Sequence, residues 1–194
     1  MVRTLFLTLA LTVAAFAGEL KSPAVGTEAP MFSLSNYDGK AYDLGKVIKS
    51  NKATVVMFIS TNCPVSNAYN ERMEQLYEKY HEKGVAVIAV NSNKAEDIKA
   101  IAEHAKDHGF RFPVVKDPGN KVADLYGAQV TPEAYVIAPD GKLLYHGRID
   151  DNRNAAKVTS SDLAGSLDNI LAGKKVTATS LRAFGCSIKR MSEE

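Results

Sequence analysis

The run Thr54-Val55-Val56-Met57-Phe58-Ile59 constrains the fold more than any other feature of the sequence, because it is almost entirely apolar and rich in β-branched residues. Such a run is typical of a strand that is buried on both faces of a sheet. Residues 64–83 then show the spacing of an amphipathic helix, and residues 85–90 form a second apolar run. Two buried strands joined by a helix predict an α/β protein whose sheet has a parallel part.

The remaining pattern adds further helices and a hairpin on each side of this unit. Asn36-Tyr37-Asp38-Gly39 predicts a turn between short strands over 31–34 and 41–44, and Asp140-Gly141 is the strongest hairpin signal in the chain. The other expected elements are helices over 97–108 and 120–126, strands over 112–115, 134–137 and 143–148, and a last helix that Ser160 or Ser161 caps and Gly173 ends.

The N-terminus predicts a secretory signal peptide over residues 1–17. The start is positively charged at Arg3, the stretch that follows is mostly apolar, and Ala15 and Ala17 are the small residues that a cleavage site requires. The apolar stretch is short for a membrane span, and the alternative is an N-terminal anchor that is not cleaved. After cleavage we expect an exported protein, periplasmic or extracellular, with no membrane span.

The rest of the chain is predicted to form one domain over 24–173 and a polar tail over 174–194. Lys and Arg number 24, Asp and Glu number 22, and no long run of one sign occurs, so we expect no nucleic-acid partner. The two cysteines, Cys63 in the domain and Cys186 in the tail, are too few for a disulfide scaffold but allow one disulfide in an exported protein.

Cys63 follows the first buried strand and precedes the long predicted helix, with Pro64 in the first helical turn. Unpaired N–H groups and the helix dipole at such a position lower the pKa of a thiol. Cys63 is therefore the candidate reactive thiol, and the alternative is a small cysteine of the core.

Val130-Thr131-Pro132-Glu133 lies just before the strand predicted over 134–137. The Thr131–Pro132 bond is either cis, a conformation almost exclusive to proline, or the trans bond of a proline that begins an edge strand. The local sequence is compatible with both conformations.

The order of these motifs resembles the thioredoxin fold: a strand, Thr61-Asn62-Cys63-Pro64, a helix, Val130-Thr131-Pro132-Glu133, a strand, Asp140-Gly141 and another strand. The opening Gly26–Leu34 with Asp38-Gly39 is similar to the N-terminal hairpin of the redoxin branch, the alkyl hydroperoxide reductase/thiol-specific antioxidant (AhpC/TSA) family. The closing segments 147–152 and 185–189 resemble an exported subgroup. The resemblance covers residues 24–190 and implies an α/β, thioredoxin-like fold with a central mixed sheet flanked by helices and a redoxin-type N-terminal β-hairpin.

The same resemblance implies a role for individual residues. Cys63 is expected to be the attacking thiol, and Pro132 a cis-proline beside it. The backbone of Thr131 is expected to pair with a bound substrate chain. The residues expected to tune or contact the sulfur are Ser60, Asn62, Ser66 and Thr131.

The sequence departs from the family pattern at several positions. Thioredoxin-like reductases have a second cysteine at the position of Ser66, and some relatives have one at Ser60, so local dithiol chemistry is impossible here. Peroxiredoxins have a proline at the position of Val56 and lack the Thr–cis-Pro element. Cys186, delivered by a mobile tail, is instead the candidate thiol that resolves a mixed disulfide or sulfenic acid, and the alternative is a structural or free tail thiol.

Three functional hypotheses follow. The first is a thiol-based oxidoreductase that acts through Cys63 on protein thiols or disulfides, in thiol–disulfide exchange or antioxidant defence. The second is a peroxiredoxin-type peroxidase acting on hydroperoxides, which Ser60 favours and Val56 opposes. The third is a redox-inert binding module with a structural Cys63–Cys186 disulfide. All three leave the oligomeric state open.

Two further patterns are weaker signals. His104 and His108 have the i, i+4 spacing of helical metal ligands, but the sequence places no carboxylate or cysteine partner near them, so we expect no metal and no cofactor. Arg148 either stabilises a thiolate at the active-site end of its strand or forms a surface ion pair with Asp150 or Asp151.

Overall fold

Five strands form a central mixed sheet whose middle strand is the apolar run around Met57. The computed structural model describes residues 21–177 and 179–191. The strands in this part of the chain are β1 (Ser33–Ser35), β2 (Ala41–Asp43), β3 (Ala53–Ile59), β4 (Val85–Asn91), β5 (Val114–Lys116), β6 (Val130–Thr131), β7 (Glu133–Ile137), β8 (Leu143–Gly147) and β9 (Cys186–Ser187). The central sheet has the order β5-β4-β3-β7-β8, in which β3, β4 and β5 are parallel and β7 is antiparallel to both neighbours. The pairs β1–β2 and β6–β9 are separate antiparallel ribbons.

Helices cover both faces of this sheet, and the residues of β3 alternate between two apolar clusters. The helices are α1 (Leu44–Lys49), α2 (Pro64–Asn67), α3 (Asn70–Tyr80), α4 (Ile98–Asp107), α5 (Lys121–Tyr126) and α6 (Asp162–Leu171), with 3₁₀ turns at His81–Lys83, Pro118–Asn120 and Ala155–Lys157. Val55 and Met57 pack with side chains of α3, α4 and α6, whereas Val56 and Phe58 pack with side chains of α1 and α5. The expected α/β fold, with its mixed sheet and N-terminal hairpin, is confirmed.

A short helix between the N-terminal hairpin and β3 is absent from the sequence prediction. The side chain of Asp43 caps α1 by accepting a hydrogen bond of 2.9 Å from the N–H of Lys46. Leu44 and Ile48 are the buried residues of this helix. With six residues, α1 is too short to show a helical period, so only the polar residues that follow it are visible as a signal.

The helix expected over 64–83 is broken at Ala68 and Tyr69, between α2 and α3. Tyr69 is buried there, and its hydroxyl donates a hydrogen bond of 2.9 Å to Asp150. The guanidinium of Arg72 lies 3.6 Å from the centre of the Tyr69 ring and bonds to the carbonyl oxygen of Ala68 at 3.1 Å. The long-range bond to Asp150 and the local contacts of Arg72 compensate for the interruption, which the apolar spacing alone does not reveal.

Segments from both ends of the described chain cover the outer edge of β8. Residues 26–27 and Leu143 exchange backbone hydrogen bonds of 2.8 and 2.9 Å. Farther along the strand, His146 exchanges backbone bonds of 2.9 and 3.0 Å with the segment 179–181. At the opposite edge of the sheet, Asn36 forms an antiparallel bridge with β5. Both edge strands are therefore partly covered by other segments of the described chain.

The signal peptide expected over residues 1–17 lies outside the described residues. Within residues 21–177 and 179–191, no helix has both the length and the apolar character that crossing a membrane requires. The longest helix in this part of the chain is α3, with 11 residues, about half the length that a bilayer needs.

We expect Gly127→Ala to destabilise the protein more than Gly109→Ala does. Both glycines lie just after a helix, with φ of 60° and 65°, so a left-handed alanine costs about 1–2 kcal/mol at either position. Only at Gly127 would an added Cβ lie 2.4 Å from backbone atoms of Lys21 and Ser22; at Gly109 it would meet no described atom within 4 Å. Urea unfolding of the two variants measures the difference, and equal losses would contradict the packing of residues 21–22 against the end of α5.

Candidate active site

Cys63 lies where the carboxyl end of β3 leads into α2, as the sequence predicts. It is the N-cap of α2, with Pro64 next to it, and its Sγ accepts a hydrogen bond of 3.2 Å from the N–H of Ser66. Cys63 is 3% exposed, and its Sγ lies 3.3 Å from the carbonyl oxygen of Thr131, to which the thiol donates. Because α2 has only four residues, the local N–H of Ser66 stabilises the sulfur, rather than the dipole of a long helix.

The Thr131–Pro132 peptide bond is cis, and the contact between the Thr131 carbonyl and the thiol places it beside Cys63. The short strand β6 that precedes Pro132 pairs antiparallel with β9, with Thr131 opposite Cys186. The position at which the resemblance implied a bound substrate chain is therefore occupied by the protein's own C-terminal segment.

Backbone hydrogen bonds continue along this segment after β9. The N–H of Ile188 donates to the carbonyl oxygen of Gln129 at 3.0 Å. The N–H of Lys189 donates to Asn93 Oδ1 at 2.7 Å, and its carbonyl oxygen accepts a bond of 2.9 Å from the N–H of Lys94. The structure thus shows the second cysteine on a docked segment, where the sequence analysis expected a mobile tail.

Cys63 and Cys186 line one cleft of ≈ 130 Å³ and are both free thiols. Burial raises the pKa of Cys63, but hydrogen bonds from the side chain of Cys186 and from the N–H of Ser66 outweigh burial, so this pKa lies below its ordinary value. The pKa of Cys186 is raised by burial and by its hydrogen bond to Cys63. Cys63 is therefore the thiol that ionises first.

Glu96 organises the loop around Cys63, and the sequence analysis missed it. Its buried carboxylate accepts hydrogen bonds from Ser60 Oγ at 2.6 Å, from the N–H of Thr61 at 2.7 Å and from Asn91 Nδ2 at 2.5 Å. Burial raises the pKa of Glu96, but these donors outweigh burial and lower it below its ordinary value. The available signal was its place after β4, because the ends of parallel neighbours meet at one edge of a sheet.

Ser66, and not Ser60, contacts the sulfur. The hydroxyl of Ser60 donates to Glu96, and the N–H of Ser60 donates to Ser66 Oγ at 3.2 Å. Ser60 is therefore linked to Cys63 through Ser66, and its expected part, to tune or contact the sulfur, stays a prediction. Asn62 is exposed and lines the cleft.

Lys116 links this network to the docked tail. Its Nζ donates to Asn91 Oδ1 at 3.2 Å and to the carbonyl oxygen of Asn93 at 2.6 Å. Burial lowers the pKa of Lys116. Because Asn91 donates to Glu96 and the side chain of Asn93 accepts from Lys189, one chain of contacts joins the thiol loop, the end of β5 and the C-terminal segment.

Arg148 forms its ion pair with Asp162, at 2.7 Å, and not with Asp150 or Asp151. Asp150 instead pairs with Arg72 at 2.5 Å, in the contact that anchors the break between α2 and α3. Sequence proximity therefore suggested the wrong partner. The segment around Asp150 therefore stabilises the break between α2 and α3, next to the candidate site.

The Nε2 atom of His104 lies 3.2 Å from Nδ2 of Asn70. The centre of the His104 ring is 4.4 Å from the centre of the His108 ring. Burial, and then the neighbouring His108, lower the pKa of His104. Among residues 21–177 and 179–191, no group of three or more potential ligands could hold a metal ion.

The sequence model of the AhpC/TSA family matches residues 25–146. The chain belongs to the AhpC/TSA family. The thiol-disulfide oxidoreductase ResA of Bacillus thuringiensis is 33% identical to it over 129 residues, which cover 66% of this chain and 72% of ResA. This relative supports the redoxin resemblance that the motifs suggest.

Two solved structures are also similar to this chain over most of its length. A hypothetical protein from Sinorhizobium meliloti superposes with a TM-score of 0.83 at 34% identity, over 89% of this chain and 98% of that one. An uncharacterized conserved protein from Geobacillus kaustophilus superposes with a TM-score of 0.82 at 35% identity, over 88% of this chain and 94% of that one. Both alignments extend well beyond the 66% of the chain that ResA covers.

We expect Glu96→Gln to lower the free energy of unfolding by about 1–3 kcal/mol at neutral pH, because a buried charged acceptor is lost and an amide is left with mismatched donors. The pKa of Glu96 is lowered on folding, so its contribution is present above the ordinary value of 4.5 and is lost as the pH falls through the folded pKa. Urea unfolding against pH measures this. Glu103→Gln, an exposed position on α4, is the control, and equal effects of both substitutions would contradict the assignment.

We expect the pKa of Cys63 to be higher in Cys186→Ala than in Cys186→Ser, because only serine keeps a hydrogen-bond donor for the thiolate. In both variants Cys63 is the only cysteine, so the rate of alkylation by iodoacetamide against pH reports its ionisation directly. The same pKa in both variants would show that Cys186 does not stabilise the thiolate.

Proposed function

We propose that this protein is an exported thiol–disulfide oxidoreductase in which Cys63 is the attacking thiol and Cys186 is the resolving thiol. The observation that carries the proposal is that two free thiols, Cys63 and Cys186, line one cleft at the end of β3, with Cys186 held opposite Thr131. The relatives named thiol-disulfide oxidoreductase ResA support the reaction class. The layout of residues 1–17 supports export.

In the first step, the Cys63 thiolate attacks one sulfur of a substrate disulfide. A bond forms between Cys63 and that sulfur while the substrate S–S bond breaks. The other substrate sulfur leaves as a thiolate and takes a proton from solvent. The product is a mixed disulfide between the protein and the substrate.

In the second step, the Cys186 thiolate attacks the sulfur of Cys63, and the second substrate sulfur leaves as a thiolate. The substrate disulfide is now reduced, and the two protein thiols are oxidised to a Cys63–Cys186 bridge. An external dithiol restores the protein by reducing this bridge. In the opposite direction the same steps oxidise a substrate dithiol.

The pKa difference suits this order of events. While Cys63 is a thiolate, its interaction with Cys186 keeps the Cys186 proton in place. Once Cys63 is part of a mixed disulfide, its charge is gone, and that contribution to the raised pKa of Cys186 disappears. Cys186 is therefore activated only after the substrate is attached.

The peroxidase hypothesis has weaker support. It requires the hydroxyl of Ser60 at the peroxide, but this hydroxyl donates to Glu96 at 2.6 Å. Val56, which stands where peroxiredoxins have proline, is a buried residue of β3. We therefore do not propose that the protein reduces hydroperoxides, and the test below includes hydrogen peroxide so that such an activity would be detected.

The test is a non-reducing peptide map of the purified protein before and after it meets oxidised glutathione or one equivalent of hydrogen peroxide. We expect glutathione disulfide to produce a Cys63–Cys186 bridge that a mild dithiol reopens. Cys186→Ser should accumulate a mixed disulfide at Cys63. Cys63→Ser should leave Cys186 unmodified, and Ser187→Ala, an exposed neighbour, should behave as the unaltered protein.

Three results would contradict the proposal. A bridge that is present from the start and resists mild reduction would indicate a structural disulfide. A bridge that forms only with peroxide would indicate a peroxidase. A Cys63 that reacts with neither reagent would exclude it as the attacking thiol.

A further inference from the structure

The C-terminal segment Gly185–Ile188 runs as an extended strand along one side of the candidate site. We propose that this strand position is the recognition groove for a protein substrate, and that it selects an extended segment of the pattern Gly-Cys-x-Ile, which the protein's own tail imitates. This inference rests on the proposed function, since the bound cysteine has to meet a reactive Cys63. Strand addition of this kind takes affinity from the backbone and specificity from alternate side chains.

The glycine requirement follows from the closeness of two backbones. A Cβ at Gly185 would lie 2.0 Å from the carbonyl oxygen of Thr131 and 2.7 Å from its carbonyl carbon. Both are backbone atoms of β6, next to Pro132, so no flexible side chain can move aside. Gly185 does not have a left-handed φ, and the restriction is therefore one of space and not of backbone conformation.

The cysteine requirement follows from the register. Cys186 is opposite Thr131, whose carbonyl oxygen also contacts the Cys63 thiol. Any chain that pairs with β6 in this register brings its corresponding side chain into the cleft that Cys63 lines. A substrate cysteine at that point is presented to the attacking sulfur.

The preference for isoleucine comes from position 188, the next buried position of the strand after Cys186. Ile188 is 5% exposed and belongs to the apolar cluster that contains Phe58 and Tyr126. Ser187 and Lys189, on either side of it, are exposed. This alternation is that of a strand with one buried face, so the groove selects at positions 186 and 188, whereas Ser187 and Lys189 are exposed where they line the cleft.

One strand position then has two occupants in turn. A substrate displaces the tail, binds beside Thr131 and forms the mixed disulfide with Cys63. The tail is tethered and so competes at a high effective concentration; its return brings Cys186 to Cys63 and expels the reduced substrate. The same exchange of strands both resolves the intermediate and releases the product.

The test uses the full chain with Cys186→Ser, in which a mixed disulfide at Cys63 persists. The probes are blocked pentapeptides whose cysteine is joined to thionitrobenzoate: Gly-Cys-Ser-Ile-Lys, the same peptide with alanine for glycine, and the same peptide with alanine for serine. Attack of Cys63 on the peptide sulfur releases thionitrobenzoate, whose absorbance gives the rate. The symmetrical thionitrobenzoate disulfide measures the reactivity of Cys63 without any peptide.

We expect the glycine peptide to react about tenfold faster than the alanine-for-glycine peptide, because the added Cβ clashes with β6. The alanine-for-serine control should react at the same rate as the glycine peptide. Adding Gly185→Ala to Cys186→Ser should weaken the docking of the tail and raise the rate of the glycine peptide by roughly tenfold. Adding Ser187→Ala instead should leave that rate unchanged.

The outcomes separate this inference from the proposed function. Equal rates for the glycine and alanine-for-glycine peptides in both backgrounds would overturn the groove, even if Cys63 reacts readily with the symmetrical disulfide. Failure of Cys63 to react with the symmetrical disulfide would instead overturn the proposed function, and the inference with it.

Discussion

The buried carboxylate of Glu96 is the group on which the geometry of the site depends. An unpaired carboxylate in this position would be very unfavourable, but donors from the loop after β3 and from Asn91 satisfy it. The loop cannot shift without breaking these bonds. Ser60 also donates a hydrogen bond to Ser66, and the N–H of Ser66 donates to the sulfur of Cys63. The carboxylate of Glu96 therefore fixes the position of the thiol although it is not bonded to it.

The docked tail places the second cysteine of the chain beside the first. As a hydrogen-bond donor, Cys186 lowers the pKa of Cys63 before the reaction begins. Under the proposed function, the tail returns to a position beside Cys63 that the fold already provides, so part of the entropic cost of bringing Cys186 to a mixed disulfide is met during folding. Under the same proposal, a distant part of the chain supplies the second thiol that the positions of Ser60 and Ser66 lack.

The features that could be predicted from the sequence are those with local causes. The continuous apolar run of β3, the Cys63-Pro64 junction and the Asp140-Gly141 hairpin each depend on a few adjacent residues, and each is found where expected. The place of Glu96 after β4 is a signal, but only the conformation of the loop after β3 shows that its carboxylate reaches Ser60 and Thr61. The partner of Arg148 could not be predicted because Asp162 reaches it only through the packing of α6. The break at Tyr69 likewise depends on Asp150, a residue of a distant loop.

The coverage of the sheet edges has a consequence for how the protein behaves outside its native state. Unpaired strand edges are templates for association with other chains, and here β8 is shielded by segments from both ends of the described chain, 26–27 and 179–181. Backbone bonds and the packing of Val25 and Leu181 against the core hold these segments in place. Proteolytic trimming of either segment would then expose the edge of β8 as a site for aggregation.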